Sequence, residues 1–134
     1  MKSKKLNKET IQSIATRELS YPDFQVGDVV EIAQWVQEGD EGKRIQTFKG
    51  NVIAKNNNAA SSTFTVRKIA ADGVAVERIF PLYSPIIDTV KLVAKARVRR
   101  AKLYYIRHKV GEDAVIKEKK VVRRTAKVSA PKAA

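Results

Sequence analysis

The spacing of apolar residues changes period once along this chain. Between residues 7 and 19, Ile11, Ile14, Ala15 and Leu19 recur at helical spacing and give one narrow apolar face. Asn7 is placed to cap that helix, with Glu9 in its positively polarised first turn. Tyr21-Pro22-Asp23 ends it, because a proline ring disfavours helical backbone in the residue before it. From Phe24 to Val93 the period becomes two. Residues 26–36 read as a strand with Val30, Ile32 and Val36 on one face. Glu38-Gly39-Asp40-Glu41-Gly42 reads as a hairpin loop, and residues 44–55 as a second strand. Gly50 inside that strand marks a bulge or sharp bend. Residues 56–62 form a polar loop without core-forming side chains. Residues 63–69 are β-branched and aromatic, as strands prefer. Ala71-Asp72-Gly73 is a turn, and residues 74–80 return as the paired strand. Pro81-Leu82-Tyr83-Ser84-Pro85 breaks the ladder. Residues 86–93 make a last strand in which Ile87, Thr89, Lys91 and Val93 alternate against Ile86, Asp88, Val90 and Leu92.

This pattern predicts an all-β domain of about five short strands, a small closed barrel with a peripheral N-terminal helix over one end. Residues 94–110 fit neither period. As a helix they would gather Ala101, Tyr104, Tyr105 and His108 on one face. As a strand they would set Arg97 and Arg99 against Arg100 and Lys102. An irregular segment with one helical turn near 101–105 is expected. Residues 117–134 are Lys/Arg/Ala/Val-rich and cannot bury much, so disorder is expected in the free protein, with Val121-Val122 as a local anchor. The chain thus divides into a basic arm and helix (1–20), the barrel (21–93), a basic-aromatic extension (94–116) and a basic, flexible tail (117–134).

Charge sharpens this division. The 134 residues carry a formal +13. Residues 1–20 hold five basic and two acidic side chains, residues 21–90 seven and nine, and residues 91–134 fifteen and three. A near-neutral domain therefore carries strongly basic flanks, as a protein docked on a phosphate surface requires. Residues 89–111 contain no Asp or Glu, and seven of the fifteen residues from Lys95 to Lys109 are Lys or Arg. Cations this dense repel one another unless a polyanion neutralises them. The adjacent Tyr104 and Tyr105 suit stacking on bases or riboses. Nucleic acid, RNA first, is the expected partner, and the extension reads as a detachable arm on the barrel.

Other chemistries find little support. There is no Cys, which excludes disulfides and thiolate metal sites and suits a reducing, intracellular compartment. No apolar run reaches the roughly 18 residues of a spanning helix, so no membrane partner is expected. The Lys-rich N-terminus lacks the apolar core of a secretory signal. His108, the single histidine, lies among cations and reads as an RNA contact or surface residue rather than a catalyst. Glu38, Asp40 and Glu41 read as a solvated hairpin tip rather than a metal site. Gly39, Gly42 and Lys43 lack phosphate-loop spacing, and no nucleophile–base set can be assembled. Trp35 and Phe48 read as core or barrel-rim aromatics. No catalysis, cofactor or metal is expected.

The expected RNA contacts fall into two groups. Arg44, Lys49, Arg67, Lys68 and Arg78 lie on strands of the near-neutral domain. Arg97, Arg99, Arg100, Lys102, Tyr104, Tyr105, Arg107, His108 and Lys109 lie in the extension. About eight phosphate contacts would give a slope of log affinity against log salt of roughly −6 to −7. For the two tyrosines, stacking on RNA and pinning the arm to the barrel are both open, and one of each is expected. Lys2, Lys4 and Lys5 are equally a solubilising tail or further contacts.

Four segments resemble one family. They are Arg44-Ile45-Gln46-Thr47-Phe48-Lys49-Gly50, Thr63-Phe64-Thr65-Val66-Arg67-Lys68-Ile69, Val76-Glu77-Arg78-Ile79-Phe80-Pro81-Leu82-Tyr83-Ser84-Pro85 and Val98-Arg99-Arg100-Ala101-Lys102-Leu103-Tyr104-Tyr105-Ile106-Arg107. In this order and spacing they resemble bacterial-type large-subunit ribosomal protein nineteen, over about residues 8 to 118. The resemblance implies an SH3-like barrel with an N-terminal helix. It implies binding to large-subunit ribosomal RNA at the subunit interface and inter-subunit bridges that reach small-subunit ribosomal RNA. It further implies neighbouring large-subunit proteins, numbers three and fourteen among them, and a cytoplasmic location in the ribosome. The chain departs from the family pattern at Val26, at residues 56–60, at Tyr83, at Ala96 and in the tail beyond Lys119. Two rival classes differ in what they predict. A non-ribosomal architectural module would bind duplex DNA and ribosomal RNA alike, and an RNA-acting enzyme would turn over its substrate.

Overall fold

Alternation between residues 29 and 94 resolves into five strands: β1 (Val29–Glu38), β2 (Gly42–Asn56), β3 (Thr63–Ile69), β4 (Ala75–Pro81) and β5 (Ile87–Ala94). The computed structural model describes residues 7, 9, 12, 13, 21–39, 42–109 and 111–119. All neighbouring strands are antiparallel, in the order β4-β3-β2-β1-β5. The sheet is open, with β4 and β5 as its edges, and is all-β as expected. Glu9, Gln12 and Ser13 have helical backbone. The rest of the expected N-terminal helix, its apolar face included, lies outside the described residues, as do Lys2, Lys4, Lys5 and Val121-Val122.

The inner face of the sheet carries the main core. Val30 and Ile32 of β1, Phe48 and Val52 of β2, Phe64 and Val66 of β3, Phe80 of β4 and Ile87 and Val90 of β5 are buried there with Phe24. Each such side chain contributes about 1.5–3 kcal/mol by leaving water. The phenylalanines form a chain of contacts, with centroids of Phe24 and Phe64 5.0 Å apart, Phe64 and Phe80 5.6 Å, and Phe48 and Phe80 5.7 Å. Such offset and edge contacts add to area burial. Phe48 is thus core, whereas Trp35 is half-exposed on the outer face and donates to Asp88 Oδ1 at 3.3 Å.

Two of the three register slips in the sheet decide which side chains reach which core. In β2 the register slips between Val52 and Ala54, so the bulge lies at Ile53 and not at Gly50. Gly50 serves close approach instead. A Cβ there would overlap the Arg67 carbonyl oxygen on β3 and stand 2.9 Å from Val66 Cγ1. In β5 a second slip opposite Ala33 and Gln34 lets Ile87 and Val90 face the same core, although their parity differs. β1 starts three residues later than the period suggests because Val26 and Gly27 (φ +99°) form a turn closed by the Asp28 N–H donating to the Gln25 carbonyl at 3.2 Å. The buried Asp28 accepts from the Gln25 N–H at 2.9 Å and the Ala96 N–H at 2.8 Å, which ties the start of β1 to the exit of β5.

Candidate nucleic-acid interface

The basic extension begins at that exit and is docked on the sheet. A β-bulge places two residues against one on the partner strand. Here it turns Ile53 and Ala54 together toward the outer face, where strict alternation would show only one of them. Leu103 (0% exposed) and Ile106 (4%) pack on this pair, flanked by Val26, Val98, Ala114 and Ile116. The Leu103 N–H donates to the Ile53 carbonyl at 2.8 Å. Residues Tyr104–His108 then form a 3-10 turn, three residues beyond the helical turn expected from sequence. Burying Leu103 and Ile106 supplies about 3–6 kcal/mol before entropy is subtracted. The extension is therefore a strap with its own small core, not a detachable arm.

A charged latch closes the strap. Arg67 and Glu77 face each other across the β3–β4 ladder, and Arg67 Nη1 donates to Glu77 Oε1 at 2.8 Å. Arg107 reaches the same carboxylate from the strap, with Nε 3.0 and 2.9 Å from the two oxygens and Nη2 2.7 Å from Oε2. The hydrogen bonds from Arg107 hold the Glu77 carboxyl below its ordinary range. Burial opposes them, and the bond and charge of Arg67 add to them. The Arg107 guanidinium is raised in turn by that carboxylate. Side chains of Arg67 and Glu77 are 12% and 22% exposed, so this part of the latch is more than a solvated surface pair.

The fourteen expected contacts thus separate into engaged and free groups. Arg67 and Arg107 satisfy Glu77. Arg78 lies on the inner face, its guanidinium carbon 5.7 Å from the Phe48 ring and 5.3 Å from the Phe80 ring. With the Gln34 amide oriented to satisfy the network, its oxygen accepts from Arg78 Nη1 at 2.8 Å and Nη2 at 3.0 Å. Arg44 pairs with Glu38 at 3.0 Å across the β1–β2 hairpin, and both are well exposed. Lys68 is exposed, with Nζ 5.9 Å from the Phe48 ring centre. Lys49 is exposed beside an outer-face cleft of about 480 Å³ that Ile106 and Val115 also line. Arg97, Arg99, Arg100, Lys102, His108 and Lys109 are all exposed.

Arg97, Arg99, Arg100, Tyr105 and Lys109 line one open groove of about 1230 Å³, whose other wall is residues 112–119. That wall is held by pairing of Ala96 with Glu118 and by bonds from Arg97 N–H to the Lys117 carbonyl (3.3 Å) and from Lys119 N–H to the Lys95 carbonyl (2.7 Å). Residues 117–119 are therefore paired with the extension rather than part of a free tail. Tyr104 and Tyr105 are 42% and 39% exposed, and neither belongs to the small core that docks the strap. Arg107 lies 4.6 Å from the Tyr104 ring centre, and Arg100 (5.0 Å) and Lys109 (5.4 Å) lie near that of Tyr105. Among the described residues no cluster of His or acidic side chains could hold a metal ion. Sequence reasoning missed Leu103, Ile106, Glu77 and Asp28. A signal existed for the first two, an apolar pair three residues apart inside a cationic run.

Residues 4–119 match the family described as ribosomal protein L19. A relative from Clostridium botulinum strain Hall, named large ribosomal subunit protein bL19, is 44% identical over 113 residues, 83% of this chain and 97% of the relative. A protein of the same name from Pelobacter propionicus is 52% identical over 99 residues, covering 74% of this chain and 82% of the relative. With most of its length matched in both comparisons, the chain belongs to the ribosomal protein L19 family, structural proteins of the large ribosomal subunit and not enzymes.

Proposed function

We propose that the chain binds large-subunit ribosomal RNA at the subunit interface and helps bridge the two subunits, where it also meets small-subunit ribosomal RNA and neighbouring large-subunit proteins such as numbers three and fourteen. Its sheet takes the SH3-like form, and residues 94–116 are its principal RNA-binding element. The observation that carries this reading is the set of five exposed cations, Arg97, Arg99, Arg100, Lys102 and Lys109, on a segment whose backbone is docked by Leu103 and Ile106. Arg offers forked donors to phosphate and Lys a point charge. Tyr105 is the better stacking ring. The cation at Tyr104 is tied down by Glu77, whereas Arg100 and Lys109 have no carboxylate partner among the described residues.

The five strap contacts by themselves give a salt slope of about −4, shallower than the roughly −6 to −7 that about eight contacts would give. Sedimentation in magnesium-containing lysate tests the placement: the chain should travel with the large subunit, and a chain left at the top of the gradient would contradict it. Arg99→Ala with Arg100→Ala should flatten the salt slope of RNA binding by about 1.5–2 without moving the melting temperature. A loss of folding in that variant would assign the pair a structural role instead.

A further inference from the structure

Glu77 stands where simple electrostatics would place no acid. It faces a segment built to meet phosphate, and a carboxylate there lowers the local positive potential. Its surroundings show what it does instead. It sits on β4 directly opposite Arg67 of β3, so both side chains start from paired backbone. The Arg67 side chain is 12% exposed and shares Glu77 Oε1 with Arg107 Nε. Arg107 comes from the strap, one residue beyond the buried Ile106. Its fork engages both carboxylate oxygens, so the orientation of the guanidinium is set as well as its distance. Arg107 in turn lies over Tyr104.

We infer that Glu77 is a positioning residue for RNA binding: held by Arg67 and Arg107, it fixes the strap against the sheet at residues 103–109, so that the free cations before and after Leu103 meet RNA already arranged. The inference rests on the reading that residues 94–116 bind RNA. A site is most accurate when its supporting side chains stand on rigid elements, and here the support is a two-strand ladder. Ordering that the latch supplies in the free protein need not be supplied on binding. Removal of this negative charge therefore weakens the attraction of a basic protein for RNA, the reverse of the Coulomb expectation. The competing account is that Glu77 sequesters two arginines that RNA would otherwise claim.

The test uses the full chain and a transcript of large-subunit ribosomal RNA, with affinity measured at several salt concentrations. Glu77→Gln should bind about fivefold more weakly with an unchanged salt slope. Asp23→Asn makes the same charge change at an exposed residue with no ion pair among the described residues, and should bind as tightly as the parent or slightly tighter. Glu77→Asp keeps the charge but shortens the reach, and should also weaken binding. Amide exchange separates positioning from folding. Glu77→Gln should speed exchange at Leu103, in the strap, and leave Val52, in the main core, unchanged; if both accelerate, the Glu77→Asp result decides. Equal or tighter binding by Glu77→Gln, above all with a slope steeper by about 1.5–2, would establish sequestration and overturn the inference. A parent chain that fails to bind the transcript would refute the RNA-binding reading itself, a separate outcome.

Discussion

Leu103→Ala isolates the docking of the strap. The side chain is fully buried against Ile53, Ala54 and Ile106, and its N–H donates to the Ile53 carbonyl. Truncation removes three carbons, each worth about 0.8 kcal/mol on leaving water, so the transfer loss alone is about 2.4 kcal/mol. An unfilled cavity would add to this, and collapse of the neighbours would limit the addition. Since 1.4 kcal/mol is a factor of ten, docking should weaken about fiftyfold. The Phe24–Phe64–Phe80 core lies on the opposite face of the sheet and loses nothing directly. Native-state amide exchange is the appropriate assay because it resolves local from global opening. The amide of residue 103 should lose about fiftyfold in protection, while Val52 keeps its parent rate. An unchanged Leu103 rate would mean that the strap is free in solution. Equal acceleration at Leu103 and Val52 would mean that strap and sheet open as one unit. Either result refutes the two-core account.

Two further perturbations probe other links. Gly50→Ala sets a Cβ against the Arg67 carbonyl, which cannot move without parting β2 from β3; a loss of about 2 kcal/mol or more is expected in urea denaturation, and a midpoint within error of the parent would show that the ladder yields. Glu77 has a folded-state pKa below its ordinary 4.5, so its stabilising contribution is complete above that value and disappears as pH falls through the lower folded value. Protection of the Leu103 amide, its exchange rate relative to the intrinsic rate at each pH, should therefore fall below pH 4.5 in the parent but not in Glu77→Gln, and identical acid profiles would remove Glu77 from the latch.

The strands were legible because one face of each is buried, and burial leaves a period of two. The bulges were not, because a single inserted residue leaves the letters of the sequence unmarked. Ile53-Ala54 reads as ordinary alternation, and only the partner strand shows that both turn outward. For the same reason strict alternation sets Ile87 and Val90 on opposite faces of β5, though both reach the core. The cationic segment was visible as density, but density does not distinguish a free arginine from a satisfied one. Arg107 finds its partner thirty residues earlier in sequence, across a fold that had first to bring β4 beneath the strap. The tyrosines stand out as aromatic residues in a basic run, while the docking is done by the leucine and isoleucine beside them.

The central claim is that the exposed cations of a docked strap, rather than the strand arginines engaged within the protein, meet ribosomal RNA. Ultraviolet crosslinking of this chain within assembled ribosomes, with the crosslinked residues identified by mass spectrometry, tests it most directly. Crosslinks to ribosomal RNA should concentrate between Arg97 and Lys109, with Tyr105 prominent and Arg67 and Arg78 absent. Crosslinks centred on the strands, with none from residues 97–109, would contradict the account.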